Sequence, residues 1–277
     1  MRVNNQIRML IVYHLIFGYI FISNLTTLLA DDASTLTTNK TVVLTGENWC
    51  PYTCLNTLAD KGLIVDVLQQ AFSLMNVKTS YENETSMKRA VQNTLDGHTD
   101  VFLSAEIEQG NELYLTHEFF ILDETIFVVR KDSGIHIEHP ADLNKYTLGL
   151  ITEYDYYDPE NPWLETITHH QNIVSIGVSR GESHLLKLLL RKRIDIAIVN
   201  LDVAIHNIAL LKVEEQLKII QNDITYKVYP GFRRTPQGLK LRKIFLEGLK
   251  KLKASKAFNK IYKKYNIAMP DWNLYLG

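Results

Sequence analysis

Cysteine is scarce in this chain: Cys50 and Cys54 are its only two in 277 residues. Two thiols make at most half a zinc site, and no histidine stands near them in sequence, so a metal centre there is disfavoured. An excess of one charge is also missing. Thirty Lys and Arg face 31 Asp and Glu, a formal net charge of −1, and nothing in that balance suggests a nucleic-acid partner. After the first thirty residues no run is apolar enough to cross a membrane. Internal repeats and low-complexity tracts are absent as well.

The first thirty residues themselves read as a secretory signal peptide. Arg2 and Arg8 form a positive start, Met9 to Ile22 is a nearly unbroken apolar stretch, and a small, polar region runs to Ala30. The stretch is short for a membrane span, which leaves a retained N-terminal anchor as the rival reading. No Cys near the junction offers a lipid attachment point. The mature chain is therefore expected to be soluble and exported to the periplasm. Without Arg2 and Arg8 it carries 28 basic and 31 acidic residues, a net charge near −3. Its roughly 245 residues are enough for one large domain or two lobes. In an oxidising compartment Cys50 and Cys54 are expected to pair. The closed loop is so short that its effect on stability is small. The pairing would serve to fix the loop 47–52, Glu-Asn-Trp-Cys-Pro-Tyr. Two reduced, packed thiols are the alternative.

Residues 31–39 are polar and read as a flexible lead-in. Periodicity then predicts a strand over 41–45, a helix over 63–75, a strand over 77–81, a helix over 86–95 stopped by Gly97, and a short buried strand over 100–104. This β-α-β-α-β order implies a parallel sheet with helices on its faces. A second series follows. Strands are expected over 125–130, 147–151, 172–178, 194–199 and 224–229. Helices are expected over 181–191, 201–211, 236–253 and 255–265, with a helical turn over 140–144. Pro159 and Pro162 are read as breaking the chain. The fold class is thus α/β in two lobes joined by extended strands, with a cleft between them. Such a cleft is a natural place for a small ligand.

The ordered pieces of the chain resemble the extracellular solute-binding proteins of family 3, which have the type II periplasmic fold. They also resemble a stand-alone subgroup marked by a Trp-Cys-Pro-Tyr loop. The pieces are Trp49-Cys50-Pro51-Tyr52 with Cys54, Gly62-Leu63-Ile64-Val65-Asp66, Lys88-Arg89-Ala90, and Gly97 with Asp100. Val129 to Gly134, Asp142-Leu143, Gly149-Leu150-Ile151, Leu188 to Leu190 with Arg193-Ile194-Asp195, Lys264-Tyr265 and Asp271-Trp272 follow in order. The resemblance implies one lobe over 40–122 plus 228–277 and a second over 125–225, with crossings near 119–124 and 223–227. It also implies capture of a solute by hinge closure. Three departures stand out. Amino-acid-binding members carry an Arg shortly after the third strand to grip the ligand carboxylate, whereas this chain reads Glu106-Ile107-Glu108-Gln109-Gly110-Asn111. Those members hold the ligand ammonium with an Asp where this chain has Asn200, and Glu153 stands where a Gly is usual.

Candidate ligand contacts come from both lobes. Trp49 and Tyr52 offer aromatic faces, unless one of them packs beneath the loop. Glu47 ends a strand and would hold a cationic group or be solvated. Arg89 would grip a carboxylate or form a structural ion pair. Ser104 and Glu106 end the third strand. Thr152, Glu153, Tyr154 and Tyr156 follow a strand of the second lobe, and Asn200 stands where the resemblance places a ligand-holding Asp.

The stretch 177–181 matches Gly-x-Ser-x-Gly, with Asp202 and His206 as its nearest partners. They fall one turn apart on one helix, which suits a surface pair better than a catalytic triad. His136, His139, His169 and His170 form no zinc-helix pattern. The run from Arg233 to Lys264 holds twelve Lys and Arg against Glu247 alone and reads as a solvated basic face. The expected protein is a monomeric, non-enzymatic periplasmic solute-binding protein. It needs no cofactor or metal, captures a small polar solute that is amino-acid-like or an organic acid, and has an inner-membrane permease as a possible partner. The alternatives are a sensor or interaction protein on the same fold, or an enzyme resembling cyclohexadienyl dehydratase.

Overall fold

The first strand, β1 (Val42–Glu47), alternates little because both of its faces are covered, as in a parallel sheet packed by helices. A computed structural model describes residues 41–55, 59–84, 86–117, 121–152, 154–177 and 181–269. The signal-peptide and lead-in assignments, Glu153, the centre of the Gly-x-Ser-x-Gly stretch and Asp271-Trp272 all lie outside the described residues. So does part of the first expected crossing.

Beside β1 run β2 (Thr79–Glu84) and β3 (Val101–Ala105), both parallel to it. Helix α1 (Leu63–Ser73) connects β1 to β2, and α2 (Met87–Asp96) connects β2 to β3. Helix α1 buries Leu63, Ile64, Val67, Leu68, Ala71 and Phe72 on the sheet. Each of the larger side chains contributes about 1.5–3 kcal/mol by leaving water. The Ser86 hydroxyl accepts from the Arg89 amide to start α2, and Gly97 ends the helix at φ 84°, a left-handed conformation that glycine adopts freely.

Two strands extend this half of the sheet into the next. In β5 (Ile121–Arg130) the first four residues pair antiparallel with the start of β10 (Thr225–Arg233), bringing Asp123 opposite Tyr226. The remainder of β5 pairs with β8 (Ile196–Asn200) and β9 (Leu217–Ile220), and β6 (Leu148–Ile151) lies between β8 and β7 (Ile173–Ile176). The remainder of β10 pairs with β3 and with the short β4 (Leu113–Leu115). The sheet order is β2-β1-β3-β10-β5-β8-β6-β7, with β4 and β9 attached at its sides.

Helices α3 (Pro162–Thr168), α4 (Glu182–Leu190) and α5 (Leu201–Leu211) cover the second half. The chain then returns to the first half as α6 (Pro236–Lys253) and α7 (Lys256–Tyr265), packing on α1. Separate apolar cores sit on the two sides: Leu44, Phe72, Phe232 and Phe245 on one, and Phe127, Leu148, Leu185 and Ile198 on the other.

Several expected elements need correction. The strand expected over 125–130 begins four residues earlier, because Asp123 and Glu124 stay in the ladder with β10. Pro162 starts α3 and does not break the chain. Its missing N–H falls where a helix leaves amides unpaired, and the Asn161 side chain accepts from the Trp163 and Leu164 amides. Strands β4 and β9 and the 3-10 turn Ile107–Asn111 were not foreseen.

Candidate functional site

The loop after β1 is fixed from several directions. Cys50 and Cys54 are joined as a disulfide. The Trp49 amide donates to the Thr53 carbonyl at 2.6 Å, and the Thr53 hydroxyl donates to the Glu47 carbonyl at 2.8 Å. The Pro51 and Tyr52 carbonyls accept from the Leu63 and Ile64 amides, so the loop supplies acceptors to two of the unpaired N–H groups that begin α1. Gly62 makes this docking possible. Its φ is 114°, and a Cβ there would meet the Tyr52 carbonyl.

The loop edges a cleft that opens to solvent. Glu47, Trp49, Met87, Ser104 and Glu106 line it from the first half of the sheet. Tyr154, Asp155 and Tyr156, from the loop after β6, face them. The floor is made by the joining strands, through Asp123 and Thr125 of β5 and Tyr226 and Val228 of β10. Glu47 is only 2 % exposed, and both of its carboxylate oxygens accept from the Ser104 hydroxyl, at 3.1 and 3.0 Å. The Glu106 amide donates to the Gln109 side-chain oxygen at 2.7 Å, which holds the 3-10 turn at the rim.

Of the sequence-selected residues, Glu47, Trp49, Ser104, Glu106 and Tyr154 meet in this cleft. Tyr156 joins them there, Glu153 is outside the described residues, and Tyr52, Asn200, Thr152 and Arg89 do not line it. Tyr52 is buried beneath the loop with its ring 4.5 Å from that of Trp49, and its hydroxyl donates to Asp202 Oδ2 at 2.6 Å. Asn200 caps α5, its Oδ1 accepting from the Val203 amide at 3.0 Å. Thr152 is exposed just past β6. Arg89 is exposed on α2, where Met87 reaches the cleft in its place. Sequence reasoning missed the floor. The available signal was an Asp beside a Glu at the head of an apolar strand, which reads as a loop when the strand is started at Thr125.

The electrostatics of the cleft have one sign. Burial raises the Asp123 carboxyl well above its ordinary range, and Glu182, Glu106, Asp202 and Glu124 raise it further. Burial lifts Glu182, the first residue of α4, to about 8. Its carboxyl faces the Trp49 indole N–H and the Tyr154 hydroxyl, both of which favour its charged form. Glu182 Oε1 and Trp49 Nε1 nevertheless make no hydrogen bond to any described residue. Tyr154 and Tyr226 are raised by burial and then by neighbouring carboxylates. Among the described residues no cluster of three His, Cys, Asp or Glu is arranged to hold a metal ion.

A sequence model of the bacterial extracellular solute-binding proteins, family 3, matches residues 41–268. The chain belongs to that family. The fold of this family 3 member is that of solved periplasmic binding proteins. An arginine-, lysine-, histidine-binding protein ArtJ from Geobacillus stearothermophilus aligns with a TM-score of 0.69 at 15% identity, over 85% of this chain and 99% of that one. A histidine kinase sensor domain with similarity to periplasmic binding proteins aligns with a TM-score of 0.69 at 17% identity, over 83% and 98%. The ancestral amino acid-binding protein AncCDT-1, a precursor of cyclohexadienyl dehydratase, gives 0.65 at 14% identity, over 81% and 95%. At these identities the superpositions show a common fold and no more. No curated protein matches this family 3 chain by sequence. No described helix is long and apolar enough to cross a membrane.

Proposed function

We propose that this solute-binding protein works in the periplasm, after removal of a signal peptide, as a monomer that closes two lobes on a small polar solute. The lobes are 40–122 plus 228–277 and 125–225, hinged where β5 and β10 pair, and the solute is passed to an inner-membrane permease. The observation that carries the reading is the cleft itself. Aromatic and carboxylate side chains from both halves of the sheet converge over a floor formed by the joining strands. A solute touching both halves stabilises the closed form in proportion to its preference for that form. The protein binds and does not transform its ligand; no residue is assigned a catalytic role.

A thermal-shift screen of small polar metabolites against the full chain tests this. A compound at a hundred times its Kd adds about 2.7 kcal/mol of stability. Tyr154→Ala, in the half-buried wall of the cleft, is expected to remove that shift. An undiminished shift in the variant would place binding elsewhere, and a screen without any shift would remove the reading. The likeness to a histidine kinase sensor domain favours a second reading, in which the same closure is reported to a signalling partner. Co-purification with a permease would decide for uptake, and co-purification with a kinase for sensing.

A further inference from the structure

The cleft carries an unmet demand for a donor. Asp123 is 9 % exposed, lines the floor, and its Oδ1 has no hydrogen-bond partner among the described residues. A buried carboxylate oxygen left unpaired is costly, and the cost rises when its neighbours bear the same charge. Further carboxyl groups surround Asp123: Glu106 lines the same cleft, and Glu182 and Asp202 stand close enough to raise its affinity for a proton. Glu47 and Asp155 add two further carboxylates to the lining. Among the described residues, that lining contains no Lys or Arg. Trp49, Tyr154, Tyr156 and Tyr226 add aromatic faces to the lining, and aromatic faces attract cations.

Resting on the solute-binding reading above, we infer that the ligand is a small organic cation with N–H donors, an alkylammonium or guanidinium, that carries no carboxylate of its own. The N–H requirement comes from Asp123 Oδ1, which needs a donated hydrogen bond that a quaternary ammonium cannot give. The lack of a carboxylate follows from the wall chemistry. A ligand carboxylate would lie among Glu47, Glu106 and Asp123, and the exposed Arg89 is outside the lining.

Isothermal titration of the full chain with agmatine, 1,4-diaminobutane, arginine, choline, glutamate and calcium chloride tests the inference. Agmatine or 1,4-diaminobutane is expected to bind at least about tenfold more tightly than arginine, with choline, glutamate and calcium inert. Asp123→Asn is expected to weaken amine binding about 10- to 100-fold, the range of a charge-assisted hydrogen bond. It should leave the ligand-free melting temperature unchanged or higher, because it replaces a carboxyl whose charged form is disfavoured by burial and by its carboxyl neighbours. Glu106→Gln, nearer the rim, should weaken binding less. Tightest binding by glutamate, arginine, choline or calcium overturns the inference. So does amine binding that Asp123→Asn leaves intact. Glutamate or arginine binding that Tyr154→Ala abolishes would overturn the cation assignment while the solute-binding reading stands. Silence from all six compounds overturns the cation assignment, and silence from the wider metabolite screen as well removes both.

Discussion

Glu182 shows how one residue makes the site sensitive to pH. Its carboxyl is raised from 4.5 to about 8 by burial. Between those values the folded chain holds a proton that the unfolded chain has released. The associated stability is complete below about pH 4.5 and is lost as pH rises through about 8. Glu182→Gln should therefore be more stable than the parent at pH 8, by more than about 1 kcal/mol, the value of less than one pKa unit of the shift. The two should converge near pH 4.5. Urea midpoints at both values check this, and a constant difference would contradict it. Tyr52 is the complementary case, an aromatic residue expected in the cleft that instead secures the loop. Tyr52→Phe removes its 2.6 Å bond to Asp202 and leaves a half-buried carboxylate without that donor, at a cost of about 1–3 kcal/mol. Equilibrium unfolding should show this loss. Trp49, at 6 % exposure, belongs to the core as well as the cleft, so its truncation would report on folding and binding together.

At the scale of elements, the stapled loop and α1 form one unit. Gly62→Ala would place a side chain at positive φ against the Tyr52 carbonyl and should cost about 1–3 kcal/mol. A melting temperature equal to that of the parent would show that the loop can shift to accept it. Elements with strong local signals were legible in the sequence. Helices α5 and α6 occupy the residues their periodicity predicts, and α2 starts and stops at Ser86 and Gly97 as expected. What escaped depended on partners distant in sequence. Asp123 and Glu124 look like loop residues until β10 pairs with them, and Pro162 looks like a breaker until Asn161 is seen to cap α3. The cleft was half legible for the same reason. Residues at the ends of parallel strands, such as Glu47 and Ser104, could be placed by topology. The floor could not, because it exists only where two strands about a hundred residues apart meet. Arg89 had a suitable charge in a suitable helix, yet the turn it occupies points the cleft contact to Met87.

For the whole molecule, the family and fold follow from the match over 41–268 and the solved structures it resembles. The arrangement of the cleft goes further. The proposed closure has the walls from two halves of the sheet move about the antiparallel pair of β5 and β10. Small-angle X-ray scattering of the full chain, with and without saturating 1,4-diaminobutane, tests this most directly. Closure predicts a smaller radius of gyration with the amine. Identical scattering curves, under conditions where calorimetry shows the amine fully bound, would contradict it.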